Sequence, residues 1–306
     1  MGSRLAHVGA LLVVLVVAAA SPSEVTKLSS VQFLRSAKSS KATKPGSLIG
    51  WQGEQEPSTP HLDTAATPVG DDNQTLWTEV LTDQPPYARV FHNFLNRTEC
   101  LHLIHIAAPH MKRATVVKGK SSAVSDARTN TGFFLRRGQD SVVQAIEERI
   151  AAYTRIPFSH GEPMQVLRYE ETQQYRPHPD YLQDPNFLKN GGQRIATILM
   201  YLNDVDEGGE TAFPRANYSM QTKDAGEWSS CGMKGLSYRP RRGDALFWFN
   251  LQAASGHEKD YPLDPLKYVK GEEATETQSI HTGCPVLRGE KWSATKWIRF
   301  KDFRAR

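Results

Sequence analysis

Cysteine is scarce in this chain, with three in 306 residues: Cys100, Cys231 and Cys284. That excludes a disulfide-built scaffold, permits one internal bridge and leaves an odd thiol over. Charge of one sign is not concentrated either. The formal net charge is only +4, no Lys/Arg block occurs, and basic residues are not interleaved with aromatics, so nucleic acid is not an expected partner. No internal repeat is visible. What remains is a chain with 39% hydrophobic and 23% charged residues, the balance of a soluble globular protein. Its length suits one sizeable domain with tails or two modest ones.

The N-terminus is distinctive. Arg4 precedes the uncharged apolar run "LAHVGALLVVLVVAAAS", and Ala18 and Ala20 sit in the small-residue positions of a cleavage site. Residues 1–21 therefore read as a signal peptide, or as a signal anchor if uncleaved, since membrane spans begin near 17 residues. Either form places the bulk of the chain in the lumen of the secretory pathway, in the endoplasmic reticulum or Golgi, soluble or anchored as a type II protein. Acceptor sequons at Asn73, Asn96 and Asn217 agree with that address. The chain ends in "FRAR" rather than a retrieval tetrapeptide, so retention is expected to fall to the apolar N-terminus or a partner.

Residues 22–75 are rich in Ser, Thr, Lys, Pro, Gly and Gln and read as a polar stem or linker. Residues 76–306 carry the periodic segments. "NRTECLHLIHIAAPHM" has a helical period with Thr98 as expected N-cap. "DSVVQAIEERIAAYTRI" is a second amphipathic helix, capped by Asp140 or Ser141, with Val142, Val143, Ile146, Ile150 and Tyr153 on one face. After Pro157 come short β-branched or aromatic runs broken by Gly, Pro, Asn and Asp. They predict an antiparallel sandwich or barrel, and an α+β class with helices first and strands after them.

"YRPHPDYL" sets His178 and Asp180 one residue apart, on one face if the segment is extended. A His-x-Asp tripeptide alone is weak evidence, because most are surface accidents. A second histidine, His281, lies in a late strand, and Lys291 follows ten residues on. Two imidazoles and one carboxylate, with other positions open, suit non-haem Fe(II) in oxygen chemistry, whereas thiolates would favour zinc or copper. A lysine near such an iron can pair with a cosubstrate carboxylate. His102, His105, His110, His160 and His257 read as surface or core histidines. "DEGGETAFP" lacks the ligand spacing of a calcium loop and reads as a turn.

With these blocks in order, the chain resembles the 2-oxoglutarate- and Fe(II)-dependent prolyl 4-hydroxylases of the plant and algal type over about residues 77–303. The likeness rests on "DARTNTGFFL", "EPMQVLRYEETQQYRPHPDYL", "GGQRIATILMYLNDVDEGGETAFP", "PRRGDALFWFN" and "HTGCPVLRGEKWSATKWI". The resemblance implies a double-stranded β-helix, or jelly roll, flanked by N-terminal helices. It implies His178, Asp180 and His281 as iron ligands, Lys291 on the distal carboxylate of 2-oxoglutarate, and Tyr169 hydrogen-bonded to that cosubstrate. Thr197 and Tyr201 would line the pocket. Arg128, Glu162, Gln165, Arg194 and Trp297 map onto the family's peptide groove. The implied reaction is 4-hydroxylation of peptidyl proline in secreted proline-rich, cell-wall-type chains, coupled to decarboxylation of 2-oxoglutarate to succinate, with O₂ as cosubstrate and L-ascorbate as reductant. A Cys231–Cys284 bridge also follows from the resemblance, and a monomer is the simplest assembly. Asn130 and Arg299 depart from the family's usual Ser and His, which bears on peptide preference. Two alternatives stay open: a related dioxygenase acting on another side chain such as lysine, and a non-catalytic binder of proline-rich peptides. A zinc hydrolase lacks a third His or nearby Glu to complete its ligand set.

Overall fold

The structure, a computed structural model, describes residues 75–118, 121–216, 228–253 and 275–304. The expected signal segment and stem, two of the three sequons and His257 lie outside them. No helix among the described residues is long and apolar enough to cross a membrane.

Two strands open the described residues, β1 (Trp77–Val80) and β2 (Arg89–His92). Helix α1 (Arg97–Ala107) follows. Its cap is Asn96 rather than Thr98. The Asn96 side chain accepts from the Glu99 amide while the Glu99 carboxylate accepts from the Asn96 amide, a reciprocal box that satisfies two orphan donors. Four strands come next, β3 (Lys112–Arg113), β4 (Thr115–Lys118), β5 (Ser121–Val124) and β6 (Thr131–Leu135). Helix α2 (Ser141–Thr154) is capped by Asp140, which accepts from Val142 and Val143. The remaining strands are β7 (Met164–Tyr169), β8 (Tyr175–His178), β9 (Arg194–Tyr201), β10 (Glu207–Gly208), β11 (Thr211–Phe213), β12 (Leu236–Tyr238), β13 (Ala245–Phe249), β14 (His281–Gly283), β15 (Val286–Arg288) and β16 (Lys291–Arg299). The expected order of helices first and strands after does not hold. β1, β2, β3 and β6 come from the first half of the domain because the large sheet needs edges on both sides of its central strands.

An eight-stranded antiparallel sheet runs β1-β2-β13-β9-β16-β7-β6-β3, and a four-stranded sheet runs β12-β11-β14-β8. These are the two sheets of a double-stranded β-helix, and both helices pack on the outer face of the large one. Side-chain parity divides that sheet. Ala196, Ile198 and Met200 of β9, Val166 of β7, Ala294 and Ile298 of β16, and Phe247 of β13 join Leu103, Val143 and Ile146 of the helices in one core. The opposite face of β9 carries Thr197, Leu199 and Tyr201, with Leu199 and Tyr201 packing against Phe213 and Trp248 in a second core. On β7 that face presents Gln165, Leu167 and Tyr169. On β16 it presents Lys291, Ser293, Thr295 and Trp297. Register pairs Lys291 with Tyr169, and Trp297 with Thr197. Most of the side chains expected to be functional therefore reach one concave face by alternation alone.

Candidate metal centre

The two sheets bring the imidazoles together. β14 pairs with β8 so that His281 stands opposite His178, with ring centroids 4.4 Å apart. Asp180 lies just past the end of β8, and its carboxylate turns back between them. Its Oδ1 is 3.8 Å from His178 Nε2, and its Oδ2 is 3.6 Å from His281 Nε2. The three ligand atoms all lie within 4.8 Å of one another.

The tautomers are fixed by what the other ring nitrogens touch. His178 Nδ1 donates to the Arg176 carbonyl at 2.8 Å, and His281 Nδ1 donates to the Ser279 carbonyl at 2.9 Å. A carbonyl can only accept, so each Nδ1 carries a proton and each Nε2 is the atom turned toward the carboxylate. Burial, with His281 adding to it, pushes the His178 pKa down to about 3, which keeps this ring neutral. Burial pulls Asp180 toward protonation. The neighbouring His281, His178 and Arg194 and a hydrogen bond from Thr197 outweigh it and hold the carboxyl below its ordinary range. Two imidazoles beside an ionised carboxylate, with no thiolate among them, fit a hard-to-borderline divalent metal such as Fe(II).

Outer contacts hold these ligands. Trp248 donates to Asn250 at 3.0 Å, Asn250 donates to Thr197 at 2.9 Å, and Thr197 donates to Asp180 Oδ2 at 2.8 Å. Tyr175 stacks on His178 with centroids 3.4 Å apart, and the edge of Trp248 meets His281 at 4.6 Å. Thr197 is thus a positioner of Asp180 rather than a simple pocket wall. Asn250 and Tyr175 escaped the sequence reading. Tyr175 stands three residues before His178 inside the same block, and that proximity was the available signal. Asn250 ends the "FWFN" run and gives no local sign of its role.

Lys291 opens β16 on the same concave face. It is 2% exposed and donates to the Gly209 carbonyl at 2.6 Å. Its Nζ lies 5.5 Å from the ring centres of both Tyr169 and Tyr201. Burial pushes its pKa down to about 8, against the raising effect of Glu210. Gly208, at φ +74°, shapes the turn that presents the Gly209 carbonyl, and a Cβ there would lie 2.4 Å from the Pro285 carbonyl. Burial pushes the Tyr169 phenol up to about 12, so it stays a hydrogen-bond donor at any physiological pH. Tyr201 already gives its hydroxyl proton to Thr211 at 2.9 Å and contributes its ring to this wall.

The residues expected in a peptide groove form two adjoining clusters. Arg128 donates to Gln165 at 3.0 Å and to Asn130 at 3.2 Å, and lies 4.6 Å over the Tyr175 ring. Arg194 donates twice to Glu162, at 2.6 and 2.9 Å, and lies 3.9 Å over the Trp297 ring. Arg299 shares that carboxylate, its Nε 2.6 Å from Glu162 Oε1 but poorly directed for a hydrogen bond, while Nη1 donates to the Gly192 carbonyl at 2.5 Å. His160, by contrast, is a core residue bonded to the Arg299 carbonyl. His102 pairs with Asp140 and His110 stacks on Phe133. Cys231 and Cys284 are bridged, with Cα atoms 5.7 Å apart, and Cys100 is the buried odd thiol.

Residues 164–299 match the family model of the 2OG-Fe(II) oxygenase superfamily. Over 231 residues the chain is 48% identical to a probable prolyl 4-hydroxylase 3 of Arabidopsis thaliana, covering 74% of each chain. Prolyl 4-hydroxylase 5 of the same plant is 46% identical over 243 residues, 78% of this chain and 77% of the relative. Among solved structures, a viral collagen prolyl hydroxylase from Paramecium Bursaria Chlorella virus-1 aligns with a TM-score of 0.48 and 24% identity, over 70% of this chain and 97% of that one.

Proposed function

Because the chain belongs to the plant-type prolyl 4-hydroxylases, 2-oxoglutarate- and Fe(II)-dependent oxygenases, we propose that it converts peptidyl proline to 4-hydroxyproline in secreted proline-rich proteins. The observation that carries this reading is the convergence of His178, Asp180 and His281 on one point, with Lys291 on the same concave face. Bound there, Fe(II) supplies O₂ activation coupled to decarboxylation of 2-oxoglutarate to succinate. The chain's own side chains do the rest. The Nε2 atoms of His178 and His281 and an Asp180 oxygen hold the metal, and Thr197 keeps the carboxylate aimed. The Lys291 ammonium pairs with the distal carboxylate of 2-oxoglutarate, and the Tyr169 hydroxyl donates to it. Trp248, Phe213 and Tyr175 around the histidines exclude water from the reacting centre.

Arg194 over Trp297 and Arg128 over Tyr175 present flat, cationic and aromatic surfaces to the approaching chain. Such surfaces suit an extended polyproline II segment, whose carbonyls are unbonded and whose rings pack on aromatics. We assign L-ascorbate as the reductant and the lumen of the endoplasmic reticulum or Golgi as the site of action. Glycosylation at the sequons and a monomeric state, membrane-bound only if residues 1–21 remain as an anchor, complete the reading. The apolar N-terminus and the Cys231–Cys284 bridge support it, since bridges persist in oxidising compartments. The test is succinate release with Fe(II), 2-oxoglutarate and ascorbate, with and without a polyproline peptide, together with hydroxyproline analysis. Peptide-dependent turnover that His281→Ala abolishes is expected. A rate indifferent to peptide would overturn the assignment.

A further inference from the structure

The turn between β10 and β11, read from sequence as a plain connection, holds a carboxylate that the proposed mechanism does not use. Glu210 is 1% exposed. Its Oε1 accepts from the Ser229 amide at 2.9 Å, and its Oε2 accepts from the Ser229 hydroxyl at 2.8 Å. Among the described residues no cation forms an ion pair with Glu210, and no acid forms one with Lys291. Yet the two are neighbours through one residue, because Lys291 donates to the carbonyl of Gly209. The negative charge of Glu210 opposes the effect of burial on the Lys291 ammonium. The other titratable groups facing this ammonium are Tyr169 from β7 and Tyr201 from β9, both neutral phenols, while Val205, Val286 and the Lys291 stem surround Gly209. A buried carboxylate is costly and persists where hydrogen bonds and an opposite charge offset its desolvation.

The surroundings fix the carboxylate tightly. A Cβ on Gly232 would come within 2.8 Å of Glu210 Cδ, so only glycine lets the Ser229–Gly232 turn lie against it. That turn is tied down by the Cys231–Cys284 bridge, and the Cys284 amide donates to the Glu210 carbonyl at 2.8 Å. We propose that Glu210 is a positioning residue for the cosubstrate: its fixed, buried negative charge, next to the peptide that anchors Lys291 Nζ, holds the ammonium ready for the distal carboxylate of a 2-oxo dicarboxylate. This rests on the functional reading above and adds to it a residue that acts only through Lys291.

The sign of the effect follows from charge. Lys291 must be protonated to bind a carboxylate, so affinity falls as pH rises past its pKa of about 8. Removing the Glu210 charge lowers that pKa, and each unit is worth a tenfold change in the charged fraction. Binding is measured by calorimetry on the anaerobic Fe(II)-loaded protein, with 2-oxoglutarate and with 2-oxobutyrate, which lacks the distal carboxylate. In Glu210→Gln, and in Glu210→Ala as a second shape without charge, the fall in 2-oxoglutarate affinity should begin at lower pH than in the wild type. At pH 8 that weakens binding roughly three- to tenfold, with little change at pH 6.5. Affinity for 2-oxobutyrate should stay at the wild-type value throughout, and Glu210→Asp should restore the wild-type pH dependence. Wild-type pH dependence in both uncharged variants, or equal losses for the two acids, would overturn the proposal. If the wild-type protein itself does not prefer 2-oxoglutarate to 2-oxobutyrate, it is the underlying cosubstrate reading that fails.

Discussion

At the residue scale the centre depends on groups that never touch the metal. Thr197 is a relay, receiving from Asn250 and donating to Asp180, and both of its bonds are fully buried. Thr197→Val keeps the shape and removes the donor. The loss should weaken Fe(II) binding about 10–100-fold, the usual cost of losing such an outer contact, with a smaller effect on folding. Fe(II) titration followed by turnover at saturating metal checks this. Much of the centre was legible in sequence, because His178, Asp180, His281 and Lys291 form a spacing pattern tied to one chemistry. Asn250, Glu210 and Ser229 were not legible. Each sits in a turn or at a strand end, and only the pairing of distant strands gives it a partner. Thr98 was misread as the cap of α1 because Asn96, Thr98 and Glu99 all suit a helix start. The reciprocal bonds between Asn96 and Glu99 decide it.

At the scale of elements, the large sheet is fastened by buried polar contacts at two places. Lys296 of β16 pairs with Glu147 of α2 where both side chains are almost fully buried. Glu147→Gln strands a buried ammonium and should destabilise the fold by about 3–5 kcal/mol in chemical denaturation. Replacing both residues together, Lys296→Met with Glu147→Leu, should cost far less. Near one edge, His92 on β2 lies between Asp244 and Glu79, each 2.9 Å away, and Trp77 of β1 stacks on its ring. Burial opposes its charge, but the two carboxylates prevail and raise its pKa above 6.5. A raised folded-state pKa gives stability that is fully present below the unfolded value of 6.5 and lost as pH climbs through the folded one. Wild type should therefore lose stability relative to His92→Gln between neutral and alkaline pH, as followed by urea midpoints. The helical period made the core face of α2 readable from sequence. The contribution of early strands to the sheet edge was not, since β1, β2 and β3 are short and the β1–β2 pair joins the sheet only through the distant β13.

At the scale of the whole molecule, the Cys231–Cys284 bridge spans 53 residues and ties the turn beside Glu210 to the strand that starts at His281. Reducing it frees a long loop in the unfolded chain, so Cys231→Ser with Cys284→Ser should lower stability by about 2–4 kcal/mol. Thermal melts with and without reductant measure this, and Cys100, buried with its thiol pKa pushed up to about 12, should stay unreactive until the protein unfolds. The groove residues carry one further consequence for the molecule as a collector of substrate. Arg194 and Arg299 share the single negative charge of Glu162, and Arg128 is held by neutral partners. Even after the Asp180 carboxylate, which also acts on Arg194, is counted, this leaves a surplus of positive charge. Such a charge surplus should sort incoming chains before any chemistry begins. Prolines flanked by lysine should be turned away, prolines flanked by aspartate or glutamate drawn in, and added salt should erase the distinction.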